Sequence, residues 1–210
     1  MILIIDGTGP DTEMDYKAAM ANSFCTQINN AVPDSQYWRG PTLLGREVSQ
    51  IASNVAMSAT SGLKGKSEPV ILVGYSRGGC AAIIAARRLK EQGVKVDSLF
   101  LFDAVDMQTS DLHLSQIITD NVSFVAHARS AHSFGFWAQN PIASRWYFVN
   151  TGRWLNGDGV YRRHSFTGTH GAVGGCPWGE VHGDSDCSKS VAQWMSAQFV
   201  ERGIPIQLKG

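Results

Sequence analysis

Apolar residues in this chain fall into short uninterrupted runs, separated by stretches in which they recur every three or four positions. Residues 2–5, 69–74 and 96–102 are such runs, and 122–126 is a fourth. Continuous apolar segments of this length predict strands buried on both faces of a parallel sheet. Between them, Met14, Ala18, Met20 and Phe24 predict one helix over 12–30. Leu44, Val48, Ile51, Ala52, Val55 and Ala59 predict a second. A third helix follows over 77–92, with Gly93 placed to end it in left-handed backbone. A fourth spans 188–202 on the stripe Val191, Trp194, Met195 and Phe199. The aromatic-rich stretch 131–148 has no clear period and is left unassigned. Strands alternating with helices predict an α/β fold, a mostly parallel central sheet flanked by helices. No repeat, low-complexity tract or linker interrupts it, so 1–210 reads as one domain.

Composition narrows the function classes. Hydrophobic residues make up 43% of the chain and charged residues 17%, which excludes a disordered or fibrous protein. Eighteen basic residues balance eighteen acidic ones. A net charge of zero gives no electrostatic footprint for nucleic acid and no basic face for membrane docking, and it leaves self-association open. The apolar start Met1-Ile2-Leu3-Ile4-Ile5 has no basic region before it, and no apolar run is long enough for a signal peptide or a span. The expectation is a protein made in the cytoplasm, with any export following a signal-independent route.

Four cysteines, Cys25, Cys80, Cys176 and Cys187, lack paired spacing. Cys176 and Cys187 share one glycine-rich stretch, so a bridge between them is left open for an oxidising compartment. Cys176, His182, Asp184, Asp186 and Cys187 are all metal-ligand types. They lack both the paired spacing of zinc sites and the alternating carboxylates of calcium loops. No metal and no cofactor is expected.

The strongest local signal is Gly74-Tyr75-Ser76-Arg77-Gly78, a G-x-S-x-G pattern lying between a buried strand and an alanine-rich helix. There the pattern has mechanical meaning: a sharp strand-to-helix turn exposes the serine oxygen above the sheet. Glycines at 74 and 78 leave room for the crossing chains. The helix start aims backbone N–H groups at an oxygen that gains negative charge, which makes the Arg77 N–H one oxyanion donor.

A serine nucleophile needs a base, and the base an orienting acid, in the order serine, acid, histidine for this kind of turn. Asp103 stands at the carboxyl end of strand 96–102, and Asp106 three residues on is the reserve. His170 is set among glycines in Phe166-Thr167-Gly168-Thr169-His170-Gly171, which let a loop bring an imidazole close without steric cost. Spacing alone leaves a surface loop histidine as the other reading. Phe134, Phe136, Trp137, Trp146, Tyr147 and Trp154 lie between the acid and the histidine. They suit a lid or acyl pocket, Phe134, Phe136 and Trp137 first, as well as they suit core or sheet-edge filling.

These residues together resemble a bacterial α/β-hydrolase family, long catalogued as a domain of unknown function, that includes phospholipase effectors of type VI secretion. Ile4-Ile5-Asp6-Gly7-Thr8-Gly9 resembles its opening strand and turn, and Gly74 to Gly78 its nucleophile elbow. Phe102-Asp103-Ala104-Val105 is similar to its acid strand end, and the segment Phe166 to Gly175 to its histidine segment. The resemblance implies an α/β-hydrolase fold with Ser76 as nucleophile, His170 as base and Asp103 as acid. It also implies an N–H of Gly7 or Thr8 as the second oxyanion donor, with Asp6 holding that turn in shape. Two departures stand out. Gly171-Ala172 replaces a Ser-Asp pair, and Ala126-His127-Ala128-Arg129 stands where relatives carry an acidic dipeptide. The expected activity is hydrolysis of a small-molecule or lipid ester, phospholipids included, through an acyl-enzyme. An inactive hydrolase fold serving as a binding module is the alternative, and the complete Ser, Asp and His set argues against it.

Overall fold

The computed structural model describes residues 1–44, 46–64, 66–106, 112–131 and 148–210. Six strands form one sheet: β1 (Ile2–Ile5), β2 (Gln36–Trp38), β3 (Ile71–Tyr75), β4 (Val96–Phe102), β7 (Val122–Ser130) and β10 (Val160–Phe166). Their order is β10-β7-β4-β3-β1-β2, and every neighbouring pair is parallel. Two short pairs lie outside it. One is β5 (Val105–Asp106) with β8 (Val149–Asn150), and the other is β6 (Ile117–Ile118) with β9 (Trp154–Leu155). The helices are α1 (Glu13–Ala19), α2 (Phe24–Ala31), α3 (Val48–Gly62), α4 (Arg77–Glu91), α5 (Leu112–Ser115), α6 (His170–Val173) and α7 (Asp184–Glu201). No helix among the described residues is long and apolar enough to cross a membrane.

Alternation along the strands builds two cores. Ile2, Ile4, Val73, Phe100, Phe102 and Phe124 face Phe24, Ile28, Val191, Met195 and Phe199 of α2 and α7. Leu3, Ile5, Leu72, Leu99, Leu101 and Val125 face Ala52, Val55, Ala59 and the apolar side of α4. Both faces of the central strands are covered, which is why they read as unbroken apolar runs. The chain leaves β1 for β2 on one side, then returns past it to β3 and continues outward through β4, β7 and β10. The strand order therefore reverses between β1 and β3. A crevice opens at the carboxyl ends of strands at such a point.

Several elements differ from the periodicity. The helix predicted over 12–30 is two, because Ser23 caps the second: its Oγ accepts the Thr26 N–H at 3.0 Å. The second predicted helix starts at Val48, and Leu44 lies before it, 71% exposed. β2 and β10 are edge strands whose side chains, Phe166 apart, are half-exposed or exposed, so neither presents an apolar run. β7 runs on to Ser130 because His127 and Arg129 sit within a strand despite their polarity. α7 begins at Asp184, four residues early. Gln92 caps α4, and Gly93 follows it at φ 72°.

Helix α4 crosses β1 and β3 at near-contact distance. A Cβ at Gly78 would meet the Asp6 carbonyl oxygen at 2.1 Å and that of Ile5 at 2.4 Å, both backbone atoms that cannot step aside. The four cysteines are free. Burial, reinforced by nearby carboxylates, pushes the Cys176 and Cys187 thiols up to about 12 and Cys25 well above its ordinary value.

Two outcomes follow. Gly78→Ala should lower stability in urea by about 1–3 kcal/mol or more, while Gly179→Ala, with open space around it, should leave the midpoint nearly unchanged. Equal effects would contradict the close crossing. At pH 8 the thiols of Cys25, Cys176 and Cys187, held in the neutral form, should react with Ellman's reagent far more slowly than free cysteine. Unfolding should release all four, and a count of two would reveal a Cys176–Cys187 bridge.

Candidate active site

Tyr75 of β3 pairs with Phe102 of β4, so the next residues, Ser76 and Asp103, leave the sheet side by side. Ser76 adopts φ 57° and ψ −129°, and Asp103 has φ 42°. They are the only non-glycine residues at positive φ among those described. Such backbone costs about 1–3 kcal/mol and persists only where neighbours over-determine it. At Ser76 they do. Its N–H donates to the Phe102 carbonyl at 3.0 Å, and its own carbonyl accepts from Gly79, Cys80 and Val105.

Asp103 is held as firmly. Its N–H donates to the Ala128 carbonyl at 2.7 Å, and its Oδ1 accepts the Ser130 N–H at 3.1 Å. The next amide, Ala104 N–H, donates to His127 Nε2 at 3.2 Å. A backbone N–H only donates, so that nitrogen is unprotonated and His127 serves as an acceptor bracing the Asp103 turn. This is what stands in place of the acidic dipeptide. Asp106, the reserve acid, is also buried, but on β5, where its charge acts on Arg77.

His170 is the first residue of α6. Thr169 caps that turn: its Oγ1 accepts the Ala172 N–H at 3.1 Å. Thr169 is itself gripped by Asp184, whose Oδ1 accepts its N–H at 2.7 Å and whose Oδ2 accepts its hydroxyl at 2.6 Å. The Trp178 N–H also donates to Asp184 Oδ2, at 2.8 Å. Tyr75 donates its hydroxyl to the His170 carbonyl at 3.2 Å and packs its ring 5.2 Å from the imidazole. Phe148 stacks on the same imidazole at 6.0 Å. In this setting His170 Nδ1 lies 2.7 Å from Asp103 Oδ2, and Nε2 lies 2.8 Å from Ser76 Oγ. The three residues, 67 and 94 positions apart in chain order, form one continuous line with the imidazole in the middle. A carboxylate accepts only, so Nδ1 carries the proton and Nε2 is open to the serine hydroxyl.

The first turn lies beside the elbow at the end of β1. Asp6 is fully buried and raised above its ordinary value. Burial is the main cause, against hydrogen bonds that pull it down. It accepts from Ser23, Thr26 and Tyr37 hydroxyls and from the Gly7 N–H at 2.7 Å. The Gly7 carbonyl accepts from the Tyr16 hydroxyl at 2.8 Å. With the Gly7 amide spent on Asp6, Thr8 is the member of the pair whose N–H has no acceptor among the described residues. Arg77 N–H sits in the first turn of α4, where backbone donors have no intrahelical partner.

Phe134, Phe136, Trp137, Trp146 and Tyr147 lie outside the described residues, and Trp154 is exposed on β9. Among the described residues, no three His, Cys, Asp or Glu side chains are grouped to hold a metal ion. Asp184, the buried carboxylate of the cluster read from the sequence, is engaged with Thr169 and Trp178. Ser130 and Phe148 lie in no motif, Tyr75 fills a variable position of the G-x-S-x-G pattern, and Asp184 is marked only as a metal-ligand type. Only their neighbourhood to Ser76, Asp103 and His170 in the folded chain reveals them.

Comparison with known proteins places this chain in a family. The thioesterase domain family matches residues 22–131, more than half of the chain, a span that holds Ser76 and Asp103 and ends before His170. An uncharacterized protein from Pseudomonas aeruginosa, 13% identical, superposes with a TM-score of 0.55 over 99% of this chain and 46% of its own. The thioesterase domain that cyclises the lipopeptide antibiotic surfactin is 15% identical, with a TM-score of 0.49 over 94% and 90% of the two chains. A cutinase-like protein from Cryptococcus sp. is 19% identical, with a TM-score of 0.33 over 48% and 52%. The chain thus spans about half the length of the Pseudomonas and Cryptococcus proteins. No functionally curated protein matches it. At these identities the likeness to solved structures is one of fold, the α/β-hydrolase fold. By the match over residues 22–131, this chain belongs to the thioesterase domain family.

Proposed function

We propose that the chain is a serine hydrolase that cleaves acyl esters or thioesters through an acyl-enzyme. The observation that carries this reading is the unbroken line from Asp103 Oδ2 through His170 to Ser76 Oγ, at 2.7 and 2.8 Å. Ser76 Oγ attacks the acyl carbonyl carbon while His170 Nε2 takes its proton. Asp103 fixes the imidazole tautomer and stabilises the imidazolium that forms. The carbonyl oxygen gains a full negative charge, which the N–H groups of Arg77 and Thr8 receive. Collapse expels the alcohol or thiol, protonated by His170. Water, deprotonated by the same nitrogen, then releases the acid and restores the serine. Nucleophile, base, acid and oxyanion donors all come from the chain, so the cycle closes without a cofactor.

Lipid acyl esters, phospholipids among them, are the favoured substrates. Three features support that choice. Family membership supports an acyl group on oxygen or sulfur, and the resemblance to type VI phospholipase effectors supports a lipid. The half-buried Phe148 ring stacked on His170 supports an apolar group beside the reacting carbonyl.

A fluorophosphonate probe should label the wild-type chain at Ser76 and leave Ser76→Ala unlabelled. Turnover of p-nitrophenyl butyrate should fall roughly 10⁴-fold or more in Ser76→Ala and His170→Ala, and about 10⁴-fold in Asp103→Asn. Equal labelling of both chains, or of neither, would overturn the serine reading and favour a binding module. Near-normal turnover in Asp103→Asn would remove Asp103 as the acid.

A further inference from the structure

Arg77 follows the proposed nucleophile, and its side chain is not where an arginine at a helix start usually lies. It is 1% exposed, the largest of the fully buried side chains. A buried guanidinium is costly unless its donors are used. Here they are used on two loops. Nε donates to Thr8 Oγ1 at 2.7 Å, and one terminal nitrogen donates to the carbonyls of Thr42 at 2.7 Å and Leu43 at 3.0 Å. The carboxylates of Asp106 and Glu47 lie close enough to offset its charge, and Glu47 is in turn held by the Thr42 hydroxyl at 2.8 Å. The planar fork of arginine suits such divergent acceptors, and a lysine ammonium does not.

Thr8 is the residue for which this matters. It lies beyond β1 and before α1, so neither sheet nor helix sets the direction of its N–H. Its neighbours are tied elsewhere: Gly7 to Asp6 and Tyr16, and Gly9 N–H to the Pro41 carbonyl at 3.3 Å. The side-chain bond of Thr8 goes to Arg77.

We infer that the Arg77 guanidinium is the positioning residue of the oxyanion pocket, clamping Thr8 through Oγ1 so that the Thr8 N–H faces the same point as the Arg77 backbone N–H. One residue thereby supplies one donor and sets the distance to the other. The clamp also ties the pocket to the loop at residues 42–43, which opens onto the exposed Leu43 and Leu44. This inference rests on the serine-hydrolase reading above. It adds a role to a side chain that takes no part in the proton transfers.

The test uses Thr8→Val, which keeps the shape and the backbone N–H and replaces the hydroxyl that accepts from Arg77 by a methyl group, with Thr8→Ser as the rescue and Arg77→Lys as the partner change. Thr8→Val should lower kcat on p-nitrophenyl butyrate roughly tenfold to a hundredfold, with KM within about threefold, because the loss falls on the transition state. A trifluoromethyl ketone, which mimics the tetrahedral oxyanion, should lose affinity by a similar factor. Thr8→Ser should recover to within about threefold of wild type, and Arg77→Lys should lose kcat in the same way as Thr8→Val. Each variant should still take up one equivalent of fluorophosphonate at Ser76, more slowly. Thr8→Val with wild-type kcat and ketone affinity, or Thr8→Ser as impaired as Thr8→Val, would overturn the clamp alone. A wild-type chain that takes no fluorophosphonate would overturn the nucleophile reading and the clamp with it.

Discussion

The register between β3 and β4 is the constraint on which the rest of the site depends. With Tyr75 opposite Phe102, the two strands end level, and Ser76 and Asp103 emerge at the same height with a gap between them. An imidazole fills that gap, reaching both at hydrogen-bond distance. A slip of one residue would turn Phe100 and Leu101 to opposite faces and exchange the two cores, so the packing that stabilises the sheet also fixes the separation of serine and carboxylate. The close crossing of α4, possible only because Gly78 has no side chain, brings the end of β1 and the turn Asp6-Gly7-Thr8 alongside the same serine.

Around this frame the molecule buries several charged groups, each with its donors or acceptors supplied. Asp6 gathers three hydroxyls and an amide, Asp184 two amides and a hydroxyl, and Asp103 an amide and the imidazole. Removing such partners leaves a buried group with its full desolvation penalty. None of these carboxylates sits within a strand or helix interior. They stand at the ends of β1 and β4 and at the start of α7, where each organises a turn that carries a site residue. Positive φ at Ser76 and Asp103 is tolerated for the same reason: the surrounding hydrogen bonds leave the chain no cheaper path.

Much of this was legible in the sequence, and the parts that were not have physical causes. Strands buried on both faces announce themselves as apolar runs, so β1, β3 and β4 were plain. The edge strands β2 and β10 need no such run, and Tyr-Arg-Arg-His-Ser within β10 contains none. The break between α1 and α2 comes from Ser23, whose Oγ caps α2 and also serves Asp6, a tertiary demand that helical periodicity does not register. Ser76, Asp103 and His170 lie in motifs with local chemistry. Asp184 is visible only as a ligand-type residue, since its real partners, the Thr169 N–H and hydroxyl and the Trp178 N–H, are brought close by folding. Between Gly7 and Thr8 the sequence made no distinction. The Asp6 carboxylate does, by taking the Gly7 amide for itself.

The proposed cycle stands on a covalent acyl intermediate at the aligned serine. Rapid quenching of the enzyme with p-nitrophenyl butyrate, followed by intact-mass and peptide analysis, tests it most directly. A burst of p-nitrophenol approaching one per chain is expected, with a butyryl adduct on the peptide that contains Ser76. Turnover without any adduct, or an adduct confined to a peptide elsewhere in the chain, would contradict it.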